Sequence, residues 1–151
     1  MDTCAEFLPG SFFGKYPNDI VEQLEANGIT MFVDLTCQGD KLAPYKCNVH
    51  YVNYPITDGY IPDNTDEFRV FVEELNIALD KGEKLYIHCR GGHGRSGVVV
   101  ACILRLRLGI DSSEALKLTR DFHQKRKVMD ERWRKMGSPQ TRSQKKFVTN
   151  Y

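Results

Sequence analysis

The chain has 151 residues, of which 41% are hydrophobic and 27% charged, and its formal net charge is +1. This composition is typical of a globular protein and excludes a disordered chain, and the length suits one domain over residues 1–151. No apolar run reaches the roughly 18 residues of a membrane span, and no basic segment followed by an apolar one opens the chain as a secretory leader would. We therefore expect a cytoplasmic protein.

Helix and strand patterns alternate along the first half of the chain. Residues 16–28 (YPNDIVEQLEANG) predict a helix with a proline near its start and a glycine past its end. Apolar runs at 29–35 (ITMFVDL) and 48–56 (NVHYVNYPI) predict strands. Residues 63–82 have apolar side chains at helical spacing, a polar start and a closing glycine, so we expect a second helix there.

The second half of the chain continues this alternation. Residues 84–88 (KLYIH) predict a strand, and residues 95–109 (RSGVVVACILRLRLG) are too long for one and predict a core helix. Residues 111–126 begin with Asp111 and Glu114 at capping-box spacing and predict another helix. These elements predict a single α/β domain with a central, mostly parallel sheet flanked by helices.

The turn between the last strand and the core helix is rich in glycine. Gly91, Gly92 and Gly94 allow positive φ and let successive N–H groups point inward beside a helix N-terminus. Such a concave nest favours an anion such as phosphate. In α/β folds, anions bind beyond the carboxyl ends of strands, where this turn lies.

Cys89 opens this turn and Arg95 closes it, so we expect the thiol at the floor of the nest and the guanidinium at its rim, both facing one anion. The inward N–H groups, the helix dipole and the arginine all stabilise a thiolate, which is the nucleophilic form. Arg95 can hold two phosphoryl oxygens with its planar fork, which lysine cannot do. Ser96 could donate a hydrogen bond to the departing sulfur, and His88 is expected to orient the turn.

The motif His-Cys-x5-Arg-Ser-Gly, present as HCRGGHGRSG at residues 88–97, resembles the signature loop of the cysteine-dependent protein tyrosine phosphatases. The length, PITDGYIPD at residues 55–63 and SPQTRSQKKF at residues 138–147 are similar to the small dual-specificity subgroup, which includes cyclin-dependent-kinase-associated phosphatase and phosphatases of large DNA viruses. The resemblance implies hydrolysis of phosphotyrosine, and of phosphoserine and phosphothreonine, through a phosphocysteine intermediate. It implies a phosphorylated protein as partner, no metal and no cofactor, in the cytosol, the nucleus or the cytosol of a host cell.

Displacing a poor oxygen leaving group requires a general acid, for which Asp58, Asp63 and Asp66 are candidates. Asp58 directly follows a predicted strand and lies in a turn with Gly59 and Pro62. This placement resembles the mobile acid loop of the family. We predict Asp58 as the proton donor and keep Asp63 as the alternative.

Hydrolysis of a phosphocysteine requires an oriented water molecule. Gln140 and Gln144 are four residues apart and would share one face of a helix if the segment is helical. Their Gln-Thr-x2-Gln-x2-Phe spacing is similar to the glutamine loop of tyrosine phosphatases, which implies that Gln140 orients the water and Gln144 supports it. The alternative is a pair of ordinary surface glutamines.

Arg90 and His93 occupy the loop positions that vary within the family. Both add positive character around the nest, which resembles phosphoinositide phosphatases, whereas Gly92 is more typical of protein phosphatases. RNA 5′-triphosphatases carry an asparagine before the loop arginine, where this chain has Gly94. A phosphatase of phosphoinositides or RNA 5′-phosphates is therefore the alternative function. A non-catalytic phosphate-binding module and sulfur-transfer or arsenate chemistry are more remote hypotheses.

Charge is distributed unevenly along the chain. Residues 1–80 hold 4 Lys and Arg against 14 Asp and Glu, whereas residues 81–151 hold 17 against 6. Because the nest lies in the basic half, we expect a field that attracts anionic substrates; the alternative is that these charges lie on solvated helix faces. The basic tract at residues 120–146 is expected to form a solvated helix and turn in which Trp133 packs; the alternatives are binding of a phosphorylated partner or of nucleic acid.

The chain has five cysteines, an odd number with no Cys-x2-Cys pair, which argues against a zinc site or a disulfide framework. Cys102 is expected to lie on the core helix, as a small residue of the hydrophobic core. Cys37 or Cys47 as a redox partner of Cys89 remains an alternative to simple loop positions.

Overall fold

The computed structural model describes residues 7–11, 17–40, 42, 45–126 and 129–151. Within these ranges, the strands are β1 (Phe7–Ser11), β2 (Met31–Asp34), β3 (His50–Asn53) and β4 (Leu85–Cys89). The helices are α1 (Pro17–Ala26), α2 (Thr65–Asp80), α3 (Arg95–Leu108), α4 (Ser112–Gln124), α5 (Glu131–Met136) and α6 (Arg142–Asn150). A short 3-10 turn covers Gln38–Asp40.

The four described strands form one sheet in the order β1-β4-β2-β3, and every neighbouring pair is parallel. Every residue of β4 is buried, as expected for a central strand with both faces covered. Because the strands are parallel, their carboxyl ends meet at one edge, where Cys89 pairs with Ser11 and His88 pairs with Asp34. The predicted α/β class with a mostly parallel sheet is confirmed.

Helices cover both faces of the sheet. Val33 and Ile87 face the larger core, which is built with α2, α3, α4 and α6. Phe32 and Tyr86, one residue earlier in each strand, face the opposite side, where Val21 of α1 packs. This alternation follows from the two-residue period of a strand.

Helix α3 is the central element of the larger core. Its residues 95–104 are all buried, which explains the near-continuous apolar sequence. Cys102 is fully buried within it, as predicted, and burial raises the pKa of its thiol to about 12. The helix ends at Gly109 in the left-handed region, and Asp111 then caps α4 by accepting the N–H of Glu114, which is one of the two hydrogen bonds of a capping box.

Some elements differ from the sequence-based expectations. The predicted strand at 48–56 ends at Asn53, two residues before Pro55, which has no N–H to donate to a neighbouring strand. Strand β1 was not predicted, since its sequence FLPGS contains proline and glycine. A strand tolerates this proline because β1 lies at the edge of the sheet. Helix α5 was also missed, because six residues are too short to show a periodic pattern.

None of the helices in the described part of the chain is long and apolar enough to cross a membrane.

Gly97 brings α3 close to the segment that precedes α6. A Cβ added at Gly97 would lie 3.0 Å from the backbone nitrogen of Pro139 and still closer to the Ser138 hydroxyl. Ser138 is itself buried. The first turn of α3 therefore needs a residue without a side chain on this face.

We predict that Gly97→Ala lowers the free energy of unfolding by about 1–3 kcal/mol, because the methyl group forces packed backbone apart. Denaturation in urea measures this. Gly39→Ala is the matched control, since no atom lies within 4 Å of the added Cβ there. Equal stability of the two variants would show that the segment at Ser138 moves without cost.

Candidate active site

Cys89 ends the central strand, at the edge of the sheet where the carboxyl ends meet. Its side chain is buried, and the N–H of Gly92 donates to Sγ at 3.2 Å. The Ser96 hydroxyl lies 3.6 Å from the same sulfur. The thiol is thus at the floor of the loop, as expected, where the Gly92 N–H donates to the sulfur and the sulfur contacts the Ser96 hydroxyl.

Each of the three loop glycines has a different structural role. Only Gly92 adopts positive φ, at 70°, so the expectation of positive φ at Gly91 and Gly94 was wrong. Gly94 is required by space instead, because a Cβ there would lie 2.8 Å from Nε2 of Gln144. Gly91 contributes its carbonyl, which accepts a hydrogen bond from Arg126 at 3.1 Å.

Arg95 is buried beneath the loop, with a side chain only 1% exposed, and does not lie at the rim as the sequence suggested. Its Nη1 donates to Asp40 Oδ2 at 2.7 Å and to the carbonyl of Ile56 at 2.8 Å. Its Nε is buried and has no hydrogen-bond partner among the described residues. The guanidinium is therefore fixed on one side and retains a donor for an anion.

Asp40 is the main partner of Arg95 and was not identified from the sequence. It lies in the 3-10 turn after β2, is buried, and also accepts the N–H of Cys37 at 2.6 Å. Burial alone would lower the pKa of Arg95, but the hydrogen bond with Asp40 and the charges of Cys89 and Asp58 raise it above its ordinary value. Arg95 consequently remains charged while buried.

Asp58 lies in the loop after β3 and lines the cleft above Cys89. Its Oδ1 is 3.4 Å from Nη2 of Arg95, and its side chain is 70% exposed. Asp63 is exposed and does not line the cleft, and Asp66 lies in the first turn of α2. Of the three candidate acids, Asp58 is the one that the fold brings to the thiol.

The two glutamines do not share a helix face, because Gln140 precedes the cap residue Thr141 and only Gln144 is helical. Gln144 is fully buried, and its Oε1 accepts the N–H groups of Gln140 and Thr141 at 3.1 and 3.0 Å. Its Nε2 donates to the carbonyl of Tyr60 at 3.3 Å. Gln144 therefore ties α6 to the Asp58 loop, and Gln140 is left to line the cleft.

The cleft above the thiol encloses about 170 Å³. Its walls are Asp58, Cys89, Arg90, Gly91, His93, Gly94, Trp133 and Gln140. Trp133 was expected only to pack. It does so, stacking on His93 with ring centroids 5.4 Å apart, and also forms part of the wall.

His88 is buried behind Cys89. Its Nδ1 lies 3.3 Å from the carbonyl of Cys89, and its Nε2 lies 2.7 Å from the hydroxyl of Tyr45. Burial lowers the pKa of His88, so the ring is neutral at pH 7 despite the nearby Asp34. These contacts hold the ring against the start of the turn, in the place expected for an orienting residue.

His93 does not add positive charge, which corrects the expectation from the sequence. It is buried, and its Nδ1 lies 2.8 Å from Nε2 of His123 on α4. Burial, followed by the charge of Arg126, lowers the pKa of each of these histidines to about 4. Both rings are therefore neutral at pH 7.

Besides Arg95, two further arginines bring positive charge to the loop, Arg126 and Arg90. Arg126 is half-buried and donates to the carbonyls of Gly91 and Gly92 at 3.1 and 2.7 Å, whereas Arg90 is exposed beside the cleft. Arg126 was hidden in the basic tract, where neither motif nor spacing distinguished it from its neighbours.

The described cysteines, which are Cys37, Cys47, Cys89 and Cys102, are all unpaired, and Cys4 lies outside the described residues. Burial, then the charge of Asp40, raises the pKa of Cys37. Redox pairing of Cys37 or Cys47 with Cys89 stays a prediction. Within the described ranges, no three His, Cys, Asp or Glu side chains are grouped as a metal site.

Known proteins are similar to this chain over almost its whole length. Residues 13–148 match the family described as "Swiss Army Knife protein, DSP-PTPase phosphatase domain". The chain is 38% identical to "Putative tyrosine phosphatase 067L" of Invertebrate iridescent virus 3, over 93% of this chain and 61% of the viral protein. It is 31% identical to "Cyclin-dependent kinase inhibitor 3" of Homo sapiens, over 79% of this chain and 64% of the human protein. The chain spans about three fifths of the length of these relatives.

Solved structures share the fold. Tk-PTP in its active form matches with a TM-score of 0.71 at 22% identity, over 99% of both chains. Kinase associated phosphatase (KAP), with its catalytic-site cysteine substituted by serine, matches with a TM-score of 0.71 at 26% identity, over 93% of this chain and 80% of that one. PTPMT1 in complex with PI(5)P has a TM-score of 0.72 at 15% identity, over 97% and 89% of the two chains, a likeness of fold alone.

We predict that the free energy of unfolding falls as the pH drops from about 7 to 5 and that His93 and His123 contribute to the fall. In the unfolded chain each histidine binds a proton near its ordinary pKa of about 6.5, whereas in the folded protein both, with pKa about 4, stay largely neutral. Protonation thus favours the unfolded chain, and His123→Gln should reduce the fall.

Urea denaturation at the two pH values measures the difference. His50→Gln is the control, since the His50 side chain is 70% exposed. An unchanged pH dependence in His123→Gln would contradict the assignment of a neutral, buried pair.

Proposed function

The chain belongs to the DSP-PTPase phosphatase family, and on this basis we propose that it hydrolyses phosphotyrosine, and also phosphoserine and phosphothreonine, in phosphorylated proteins through a phosphocysteine intermediate. The observation that carries the proposal is the placement of Cys89 Sγ at the floor of the loop, where it accepts the Gly92 N–H, together with a buried Arg95 whose Nε has no partner among the described residues. A relative named as a putative tyrosine phosphatase supports the same class of reaction, the hydrolysis of a phosphate monoester.

In the first step, the Cys89 thiolate attacks the phosphorus atom, and an S–P bond forms as the bond to the substrate oxygen breaks. Asp58 gives its proton to the leaving oxygen, since it lies above the thiol in the same cleft. Arg95 Nε and the loop N–H groups bind the phosphoryl oxygens, and this binding strengthens as charge spreads in the transition state.

In the second step, water attacks the phosphorus atom, and the S–P bond breaks to release phosphate. Gln140 lines the cleft and can orient this water, which gives its proton to the Asp58 carboxylate. The Ser96 hydroxyl, 3.6 Å from Sγ, donates to the departing thiolate. The chain's own groups complete both steps, so the proposal includes no metal and no cofactor.

Two features of the cleft support the choice of a protein substrate over a phosphoinositide. The phosphoinositide hypothesis rested on two basic loop positions, and His93 is neutral and stacked under Trp133. The indole at the wall and the small volume suit a single phosphorylated side chain. A cytoplasmic or nuclear location stays a prediction.

Phosphate release tests this proposal, measured on phosphotyrosine and phosphothreonine peptides, a phosphoinositide and a 5′-triphosphorylated RNA. We expect turnover of both peptides, no turnover by Cys89→Ser on any substrate, and retained peptide binding by that variant, because only the nucleophile is lost. Preference for the lipid or RNA by about a hundredfold or more, nearly 3 kcal/mol in transition-state binding, would overturn the choice of substrate.

We predict that Asp58→Asn lowers kcat on a phosphothreonine peptide by about a hundredfold or more, because the alkoxide leaving group must be protonated. On p-nitrophenyl phosphate the loss should be smaller, since that leaving group needs less protonation. Asp63→Asn is the control, being exposed and outside the cleft wall. Loss of activity in Asp63→Asn with full activity in Asp58→Asn would reverse the assignment.

A further inference from the structure

A second, larger groove of about 620 Å³ lies beside the active site, and nothing in the proposed mechanism uses it. Four cationic side chains line it, two from α4, one from α5 and one from α6. They are Lys117, Arg120, Lys135 and Lys145. We call this surface the basic groove.

The positive charge of the basic groove is mostly unneutralised. Its one carboxylate, Asp121, pairs with Lys117 at 2.9 Å. Arg120 and Lys135 are exposed and form no ion pair within the described residues. These two cations are therefore available to an anionic partner.

Apolar atoms form another part of the groove wall. Leu116 is half-buried, Pro139 is buried, and the Met136 side chain is 42% exposed. A wall that mixes cations with a flexible methionine suits a peptide that carries both carboxylates and aliphatic carbon. Single-stranded nucleic acid needs aromatic stacking platforms, and the described residues that line the groove include no aromatic ring.

The basic groove adjoins the catalytic cleft through contacts between residues that line the two. Met136 lines the groove and Gln140 lines the cleft, and Nε2 of Gln140 donates to Sδ of Met136 at 3.7 Å. On the other side, Gln124 of the groove directly follows His123, which contacts His93 of the cleft wall. The groove therefore lies next to the cleft on the side of Gln140, where the residues adjoining a phosphorylated side chain would extend.

We propose that the basic groove binds acidic residues of the protein substrate that adjoin the phosphorylated residue, an inference that rests on the proposed function. The groove supplies charge and an apolar wall next to a catalytic cleft that is too small to contact much of a protein chain. It thereby selects among phosphorylated sites by their local sequence, while the loop performs the same chemistry on each of them.

The test compares two phosphotyrosine peptides of one sequence, with glutamates on both sides of the phosphotyrosine in one and glutamines in the other. We expect a lower KM for the glutamate peptide with similar kcat. Arg120→Glu/Lys135→Glu should lower kcat/KM for the glutamate peptide by roughly tenfold and leave the glutamine peptide almost unchanged. Added salt should weaken the preference of the wild type.

The matched control is Lys81→Glu/Lys146→Glu, which changes the net charge equally at two exposed residues outside the groove. An equal loss in this control, or the same KM for both peptides in the wild type, would overturn the proposal. So would a groove variant that loses single-stranded RNA binding and keeps its peptide preference. Failure of the proposed function is distinct, because the wild type would then release no phosphate from either peptide.

Discussion

The site depends on the hydrogen bonds that hold the buried guanidinium of Arg95. Asp40 and the carbonyl of Ile56 hold one nitrogen of the fork, at 2.7 and 2.8 Å, and these two residues come from the connections after β2 and after β3. A buried charge is tolerated only when it is paired and hydrogen-bonded, so the loops cannot separate from the arginine without a large penalty. The same contacts that satisfy the charge therefore assemble three segments, distant in sequence, around the thiol.

Parallel topology makes this assembly possible. Because β2, β3 and β4 run in the same direction, the segments that follow them all emerge at one edge of the sheet. Asp40, Asp58 and Cys89 each follow or end one of these strands. Helix α3 then leaves from the same edge into the core, so that its N-terminus lies at the loop while its buried apolar residues anchor the loop.

The sequence was sufficient for the parts of the site that local patterns encode. The loop at residues 88–97, the helix after it and the position of Asp58 all depend on neighbouring residues, glycine content and the ends of apolar runs. Asp40 and Arg126 could not be found in this way, since each acts through a contact with a residue more than thirty positions away.

Burial explains the remaining differences from the sequence-based interpretation. Arg95 was placed at the rim and His93 was taken as a cation, because their residue types are usually exposed and charged near an anion. The fold instead covers Arg95 with the loops after β2 and β3, and it covers His93 with Trp133 and α4. Such coverage depends on tertiary packing, which residue type and spacing do not report.

The contact between His93 and His123 has a further consequence for the cleft wall. The two neutral imidazoles share one hydrogen bond, between Nδ1 of His93 and Nε2 of His123. The pair therefore has two tautomeric arrangements, because either ring can donate the shared hydrogen. When Nε2 of His123 donates, the hydrogen of His93 lies on its Nε2, and Nδ1 of His123 has only a lone pair. When Nδ1 of His93 donates, Nε2 of His93 has only a lone pair, and the hydrogen of His123 lies on its Nδ1. The two outer nitrogens, both buried, therefore exchange donor and acceptor roles together, without any change in charge.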